Sequence, residues 1–143
     1  MSVFTDKELE YLKGQKLGRL ATISPNGRPQ IAPVSFRYNA ELDAIEIGGR
    51  FMSQSKKYRN IMKNPLVSFV VDDVLPPWQP RGVEIRGSAE ALPTGGKEFF
   101  GPGIEADDAL IRITPEQIVG WGIDPHAQWQ QNNRKVTPKH AKS

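Results

Sequence analysis

The sequence predicts a mainly β (α+β) chain folded as a small antiparallel barrel with few short helices. Three observations carry that expectation. Apolar and polar residues alternate along Gln30–Tyr38 and Val83–Leu92, the period-2 signature of strands with one face in a core. Thirteen Gly and twelve Pro punctuate the chain, which favours short strands and tight turns over long helices. A single interior segment, Ser55–Lys63, reads as a helix between strands. At 143 residues there is material for one domain with one core.

The elements follow in order. Residues 5–13 form a helix: Thr5 caps it, Glu8 completes a capping box, Phe4 staples onto Leu9, and Gly14 ends it. Leu17–Ile23 is the first strand, and Ser24-Pro25-Asn26-Gly27-Arg28 turns the chain, Asn-Gly supplying positive φ values. In the second strand, Gln30–Tyr38, Ala32, Val34, Phe36 and Tyr38 share one face, and Ile31, Pro33, Ser35 and Arg37 the other. Pro33 has no N–H to give a ladder, which predicts an edge or bulge there. Ala44–Gly48 is the third strand. Asn64-Pro65 stops the Ser55–Lys63 helix. Leu66–Val71, apolar on both faces apart from Ser68, suits a central strand. Asp72–Gly82, with three prolines and Trp78, reads as a stiff loop, and Val83–Leu92 as the next strand. Pro93–Asp108 reads as a Gly-rich loop with a helical turn near Lys97–Phe100, and Ala109–Thr114 and Gln117–Ile123 as the last strands. The expected division is a barrel domain over 1–124 and a basic tail over 125–143.

Composition narrows the function classes. The absence of Cys excludes thiol and disulfide chemistry and leaves zinc only His126, His140 and carboxylates, so no metal site is expected. The opening residues show no basic segment followed by an apolar one, and no stretch approaches ~18 apolar residues; the expected location is cytoplasmic, with no membrane partner. The net charge of +3 is local: residues 1–123 balance 15 basic against 15 acidic side chains, whereas beyond them Arg134, Lys135, Lys139 and Lys142 face Asp124 alone. Such a tail reads as a solvated, partly disordered end ahead of a nucleic-acid contact.

The segment Arg50-Phe51-Met52-Ser53-Gln54-Ser55-Lys56-Lys57 leaves a strand and enters a helix. Cations at a helix N-terminus meet the positive end of its dipole, which is unfavourable unless an anion lies between them. Gly48-Gly49 allows close approach to the backbone, two hydroxyls stand at i and i+2, and no acid occurs between Glu46 and Asp72. Two readings stay open: a phosphate site, or a surface helix with solvated lysines. Trp78 reads as a core plug ahead of a stacking lid, Trp121 as a packed strand residue, Arg86 as solvated or salt-bridged, and His126 as an exposed loop residue that can also serve as a proton donor. No catalytic triad or carboxylate pair is spaced for hydrolysis, so any reactive chemistry belongs to a cofactor; no catalytic residue is assigned.

The ordered motifs resemble the flavin/deazaflavin oxidoreductase superfamily, related to pyridoxamine 5'-phosphate oxidase. They are Leu17-Gly18-Arg19-Leu20-Ala21-Thr22, Ala32-Pro33-Val34-Ser35-Phe36, Ser55-Lys56-Lys57-Tyr58-Arg59-Asn60-Ile61, Val70-Val71-Asp72-Asp73, Trp78 to Gly87, and Ile111-Arg112-Ile113-Thr114-Pro115 to Trp121-Gly122-Ile123-Asp124. The resemblance covers residues 3–124 and is strongest to the coenzyme F420-dependent branch. It implies an antiparallel, Greek-key-like split β-barrel of the FMN-binding type and a homodimer with two cofactors in grooves between protomers. It further implies that Ser55, Lys56 and Lys57 hold the cofactor phosphate, with Gly49, Arg50, Ser53 and Gln54 beside it. Pro33, Val34 and Ser35 would line the ring, and Trp78 and Arg81 would reach it from the other protomer. The first-strand Arg and Lys of the flavin-phosphate pattern are missing, which favours coenzyme F420 over FMN and argues against oxidation of pyridoxamine phosphate. The implied reaction is hydride transfer to an electron-poor double bond of a small organic substrate whose identity the sequence does not carry. The alternatives are an FMN-binding oxidase or flavin reservoir, a non-catalytic cofactor carrier, and, more remotely, a nucleic-acid-binding barrel, which the scarcity of aromatics among the bases disfavours.

Overall fold

A computed structural model of the chain describes residues 1–124 and 130–138. Helix α1 (Asp6–Lys13) is followed by β1 (Leu17–Ile23), β2 (Pro29–Asn39) and β3 (Ala44–Gly48). A short 3-10 turn (Met52–Gln54) leads into α2 (Lys56–Lys63), then β4 (Leu66–Leu75), β5 (Gln79–Leu92), α3 (Lys97–Phe100), β6 (Leu110–Trp121) and β7 (Asn132–Lys135). Strands β3-β2-β1-β4-β5-β6 are hydrogen-bonded in that order, and β3 also pairs with β6, closing a six-stranded antiparallel barrel with β7 appended to β6. Phe69, Leu20, Ile47, Ile85, Ile111, Ile113 and Ile118 fill it, each all but inaccessible.

The local signals formed as expected. Thr5 and Glu8 make both bonds of the capping box on α1. Val34 is buried while Ile31 and Pro33 face outward, as the alternation requires. Arg86 pairs with Glu84 at 2.8 Å.

Several expectations need correction. The Asn26-Gly27 turn is wider than a two-residue hairpin: Gly27 alone has positive φ (84°), and Ser24 N–H donates to the Arg28 carbonyl. The stiff loop over Asp72–Gly82 is instead a tight hairpin whose strands run on through Leu75 and back from Gln79. Pro80 is tolerated because β6 pairs with β5 only from Gly82 onward, which leaves Pro80 on an edge. Trp78, at the tip, is 68% exposed and plugs no core. The last two predicted strands are one, because a bulge leaves Glu116 without a register partner on β5 and carries the ladder past Pro115. Within the expected tail, Asn132–Lys135 forms β7, where Arg134 donates to both carboxylate oxygens of Glu8 and to the Val3 carbonyl. His126, His140, Lys139 and Lys142 lie outside the described residues. Among the described residues no cluster of potential metal ligands occurs, and no helix is long and apolar enough to cross a membrane.

Closure depends on β3. Its central Glu46 is in register with Arg37 on β2 and Arg112 on β6, is 1% exposed, and accepts from Arg37 (2.9 Å), Arg112 (2.8 Å) and Asn39 (3.0 Å). Burial works against its ionisation, but the bonds from Asn39, Arg112 and Arg37 outweigh it and hold the carboxyl below its usual pKa. A depressed folded-state pKa contributes stability that is present above the unfolded value and lost as pH falls through the folded one. Glu46→Gln leaves two guanidiniums facing each other without a counter-charge, and is expected to cost about 3 kcal/mol at neutral pH, or about 10 °C in Tm. Below about pH 4 the gap to wild type should narrow; thermal melts across pH read both effects.

Candidate cofactor site

A cleft opens where β2 outruns β3. β3 pairs only with Ser35–Asn39, whereas β1 pairs with β2 from Pro29 to Ser35. Residues 29–34 therefore keep a free edge, in keeping with the position of Pro33. Beside that edge lies a cleft of about 440 Å³ lined by Leu20, Thr22, Gln30, Ile31, Ala32, Lys56 and Lys57, within the range of small-molecule and cofactor sites, ~300–1,000 Å³. Buried Asn60 ties α2 to the wall, its amide nitrogen donating to Thr22 Oγ1 (3.0 Å) and Gln30 Oε1 (2.7 Å).

Lys56 and Lys57 open α2, and no acid stands in its first turn. Lys57 is half-buried, and burial lowers the pKa of its ammonium. Among the described residues no carboxylate pairs with it. A charge both desolvated and set against a helix dipole calls for an anion. Ile31, 70% exposed beside the lysines, offers an apolar platform. Anion-binding cations next to an apolar shelf fit a planar group with an anionic tail.

The other expected residues divide. Ser55 Oγ accepts from Tyr58 N–H and donates to the Met52 carbonyl at 2.6 Å, so its hydroxyl serves the helix cap. Ser53 gives both its N–H and its hydroxyl to Asp107, and Asp107 N–H donates to the Gly49 carbonyl at 3.1 Å. The segment is thus acid-free in sequence but not in space. The bonds from the Ser53 hydroxyl and N–H keep the Asp107 carboxyl below its usual pKa. Gly48 makes room for the α3 aromatics rather than for a ligand: a Cβ there would lie 3.1 Å from Phe99 and 3.3 Å from Phe100. Arg50 and Gln54 are exposed nearby. Pro33 and Ser35 continue the outward face of β2, whereas Val34 points into the core and can meet a ligand only through its backbone.

Trp78 and Arg81 are not brought to Lys57 within one chain. Neither lines that cleft: Trp78 stands in the turn beyond Leu75, at the end of β4 away from α2, and Arg81 is paired with Asp73. Arg81 grips Asp73 through two bonds (2.7 and 2.9 Å) and stacks over Tyr11, whose hydroxyl also donates to Asp73. Sequence reasoning missed Thr22, Gln30, Asn60 and Asp107. The one available signal was Asn60, a poor helix former within an eight-residue helix.

Comparison with known proteins places the chain in a family and agrees with the fold. The family described as pyridoxamine 5'-phosphate oxidase matches residues 4–122. A 5a,11a-dehydrotetracycline/5a,11a-dehydrooxytetracycline reductase of Streptomyces rimosus subsp. rimosus is 46% identical over 136 residues, 94% of each chain. Among solved structures, a conserved hypothetical protein of Mycobacterium tuberculosis superposes with TM-score 0.69 at 20% identity, over 98% of this chain and 96% of that one. An FAD-binding protein of Mesorhizobium loti gives 0.60 at 22% identity, over 82% and 94%.

The desolvated ammonium of Lys57 predicts a trade-off. Its lowered folded-state pKa means the unfolded chain binds that proton more tightly, so stability rises as pH climbs through the folded value. Lys57→Met should raise ligand-free stability by about 0.5 kcal/mol at neutral pH while weakening anion binding; chemical denaturation with and without inorganic phosphate measures both.

Proposed function

The chain belongs to the pyridoxamine 5'-phosphate oxidase family of oxidoreductases, and on that premise we propose that it is a coenzyme F420-dependent reductase acting on an electron-poor carbon–carbon double bond. The observation that carries the reading is the half-buried, unpaired Lys57 beside an apolar shelf in a cofactor-sized cleft. Lys57 and Lys56 hold the tail phosphate, Ile31 and the outward face of Pro33 and Ser35 support one face of the ring, and the other face is left to substrate. When bound, the deazaflavin would supply a two-electron hydride, and the proton that completes reduction of the double bond would come from solvent, so the chain need only bind the coenzyme and orient the substrate. The relative's activity on 5a,11a-dehydrotetracyclines supports a fused-ring substrate of that class.

FMN is the second reading, favoured by the FAD-binding structural neighbour. We further propose a homodimer. The outward faces of β1, β2 and β4 expose Leu17 (50%), Ile31, Leu66 (53%) and Val74 (47%) around the Arg19–Asp72 ion pair, and Trp78 stands free at the hairpin tip, a mixed face suited to a second copy. Pairing through it would carry the partner's hairpin tip toward the ring, completing the site that one chain leaves open.

Lys57→Ala should weaken binding of coenzyme F420 by about 10- to 100-fold, the worth of one charge-assisted bond, with the melt unchanged or slightly higher. Fluorescence titration with coenzyme F420 and FMN measures this and ranks the two cofactors; equal affinities for wild type and variant would overturn the assignment. Val74→Asp should shift the sedimentation profile from dimer to monomer and weaken cofactor binding with it.

A further inference from the structure

Gln30 carries a donor that the fold does not use. Its Oε1 accepts from Asn60 Nδ2 at 2.7 Å, and the same nitrogen donates to Thr22 Oγ1 at 3.0 Å. Asn60 and Thr22 are each 2% exposed, behind the cleft wall. Both hydrogens of one amide nitrogen are thereby occupied, and the Gln30 amide is turned so that its own NH₂ group points away from Asn60. That nitrogen has no partner among the described residues, and none of their buried side-chain nitrogen or oxygen atoms lacks one. It is therefore open, on a residue that lines the cleft. Its neighbours there, Lys56 and Lys57, are donors only.

We infer that Gln30 is a cofactor-binding residue and Asn60 its positioning residue. Asn60 holds the amide with its N–H groups toward the cleft, where they donate to an acceptor oxygen of the cofactor, either a phosphate oxygen or a ring carbonyl. The inference rests on the cofactor reading of the cleft. It assigns the deep wall to hydrogen-bond donation by a neutral group, separate from the charges of the lysines. It also explains why an asparagine is buried in the middle of α2, where a better helix former would otherwise be favoured.

Asn60→Asp tests it. The new carboxylate keeps the shape but only accepts, so Gln30 would turn to donate to it and present Oε1 to the cleft. Cofactor binding, by fluorescence titration, should fall about tenfold in Gln30→Ala and at least as far in Asn60→Asp. The carboxylate also lies near Lys56 and Lys57 along the helix, an effect common to both backgrounds. In a double-mutant cycle the Asn60→Asp loss should therefore shrink when Gln30 is already Ala. A loss of the same size in both backgrounds, or wild-type affinity in Gln30→Ala, would overturn the inference while leaving the cofactor reading intact. Wild-type protein that binds neither coenzyme F420 nor FMN would overturn both. Should Asn60→Asp not fold, Gln30→Glu replaces the donor with an acceptor and adds a negative charge beside the lysines; undiminished affinity there still refutes the assignment. Titration with riboflavin separates the acceptors: a loss shared with FMN points to a ring carbonyl, and a loss confined to FMN points to the phosphate.

Discussion

The candidate site depends on how the barrel closes at β3. A five-residue strand makes the closing connection, held by one buried carboxylate between two guanidiniums on neighbouring strands. Because β3 is short and β2 is eleven residues long, closure cannot cover the whole of β2. The uncovered residues 29–34 become the free edge, and that edge becomes the cleft. A longer β3 would satisfy more backbone groups and leave no place for a ligand. The same closure orders the loop above it: Phe99 stacks on Arg37 at 5.2 Å, beside the Glu46 ion pair. With Phe100 it packs against Gly48, and the loop then returns through Asp107 to Ser53.

How much was legible follows from the sequence distance over which each interaction acts. The cap of α1 spans three residues and could be read directly, as could β1 and β3, bounded by turn residues. Pro80 and Pro115 misled because a proline breaks a ladder only where a partner strand needs its N–H. Whether β6 reaches Pro80, or a bulge absorbs the strain at Pro115, is settled by residues about 30 or more positions away. Glu8 shows the same limit: half of its role is the local capping box, and the other half is Arg134, 126 positions later.

The site was legible in its charges and less so in its hydroxyls. Lys56 and Lys57 do share a cleft with β2, and no local acid quenches them. The hydroxyls were ambiguous because an anion needs the O–H hydrogen of Ser53 or Ser55, and both are already engaged, by Asp107 and by the Met52 carbonyl. The N-cap preference for serine at position 55 is sufficient reason for its presence. Among the described residues that line the cleft, the free side-chain nitrogens are those of the lysines and of Gln30, and only the three-dimensional packing of Asn60 against two strands shows that the glutamine is turned toward the cleft.

This division has an energetic logic. A binding site must hold unsatisfied groups in place before the ligand arrives, since affinity is lost to whatever must be ordered on binding. Lysine side chains alone are poor at this, being long and rotamer-rich. Here the wall behind them is a satisfied network: Asn60, Thr22 and the Gln30 oxygen bond one another and tie α2 to β1 and β2. The cost of leaving Lys57 desolvated and Gln30 half-bonded is thus confined to the front of the cleft, while the stability that offsets it sits in the layer behind and in the barrel closure. The opposite end is built on the reverse plan, with Arg81, Asp73 and Tyr11 mutually satisfied and Trp78 left exposed on a hairpin tip. One end presents polar donors without acceptors and the other an aromatic without cover. Two copies of the chain, in the dimer proposed above, would cover the aromatic, while the donors still call for an acceptor that a ligand brings.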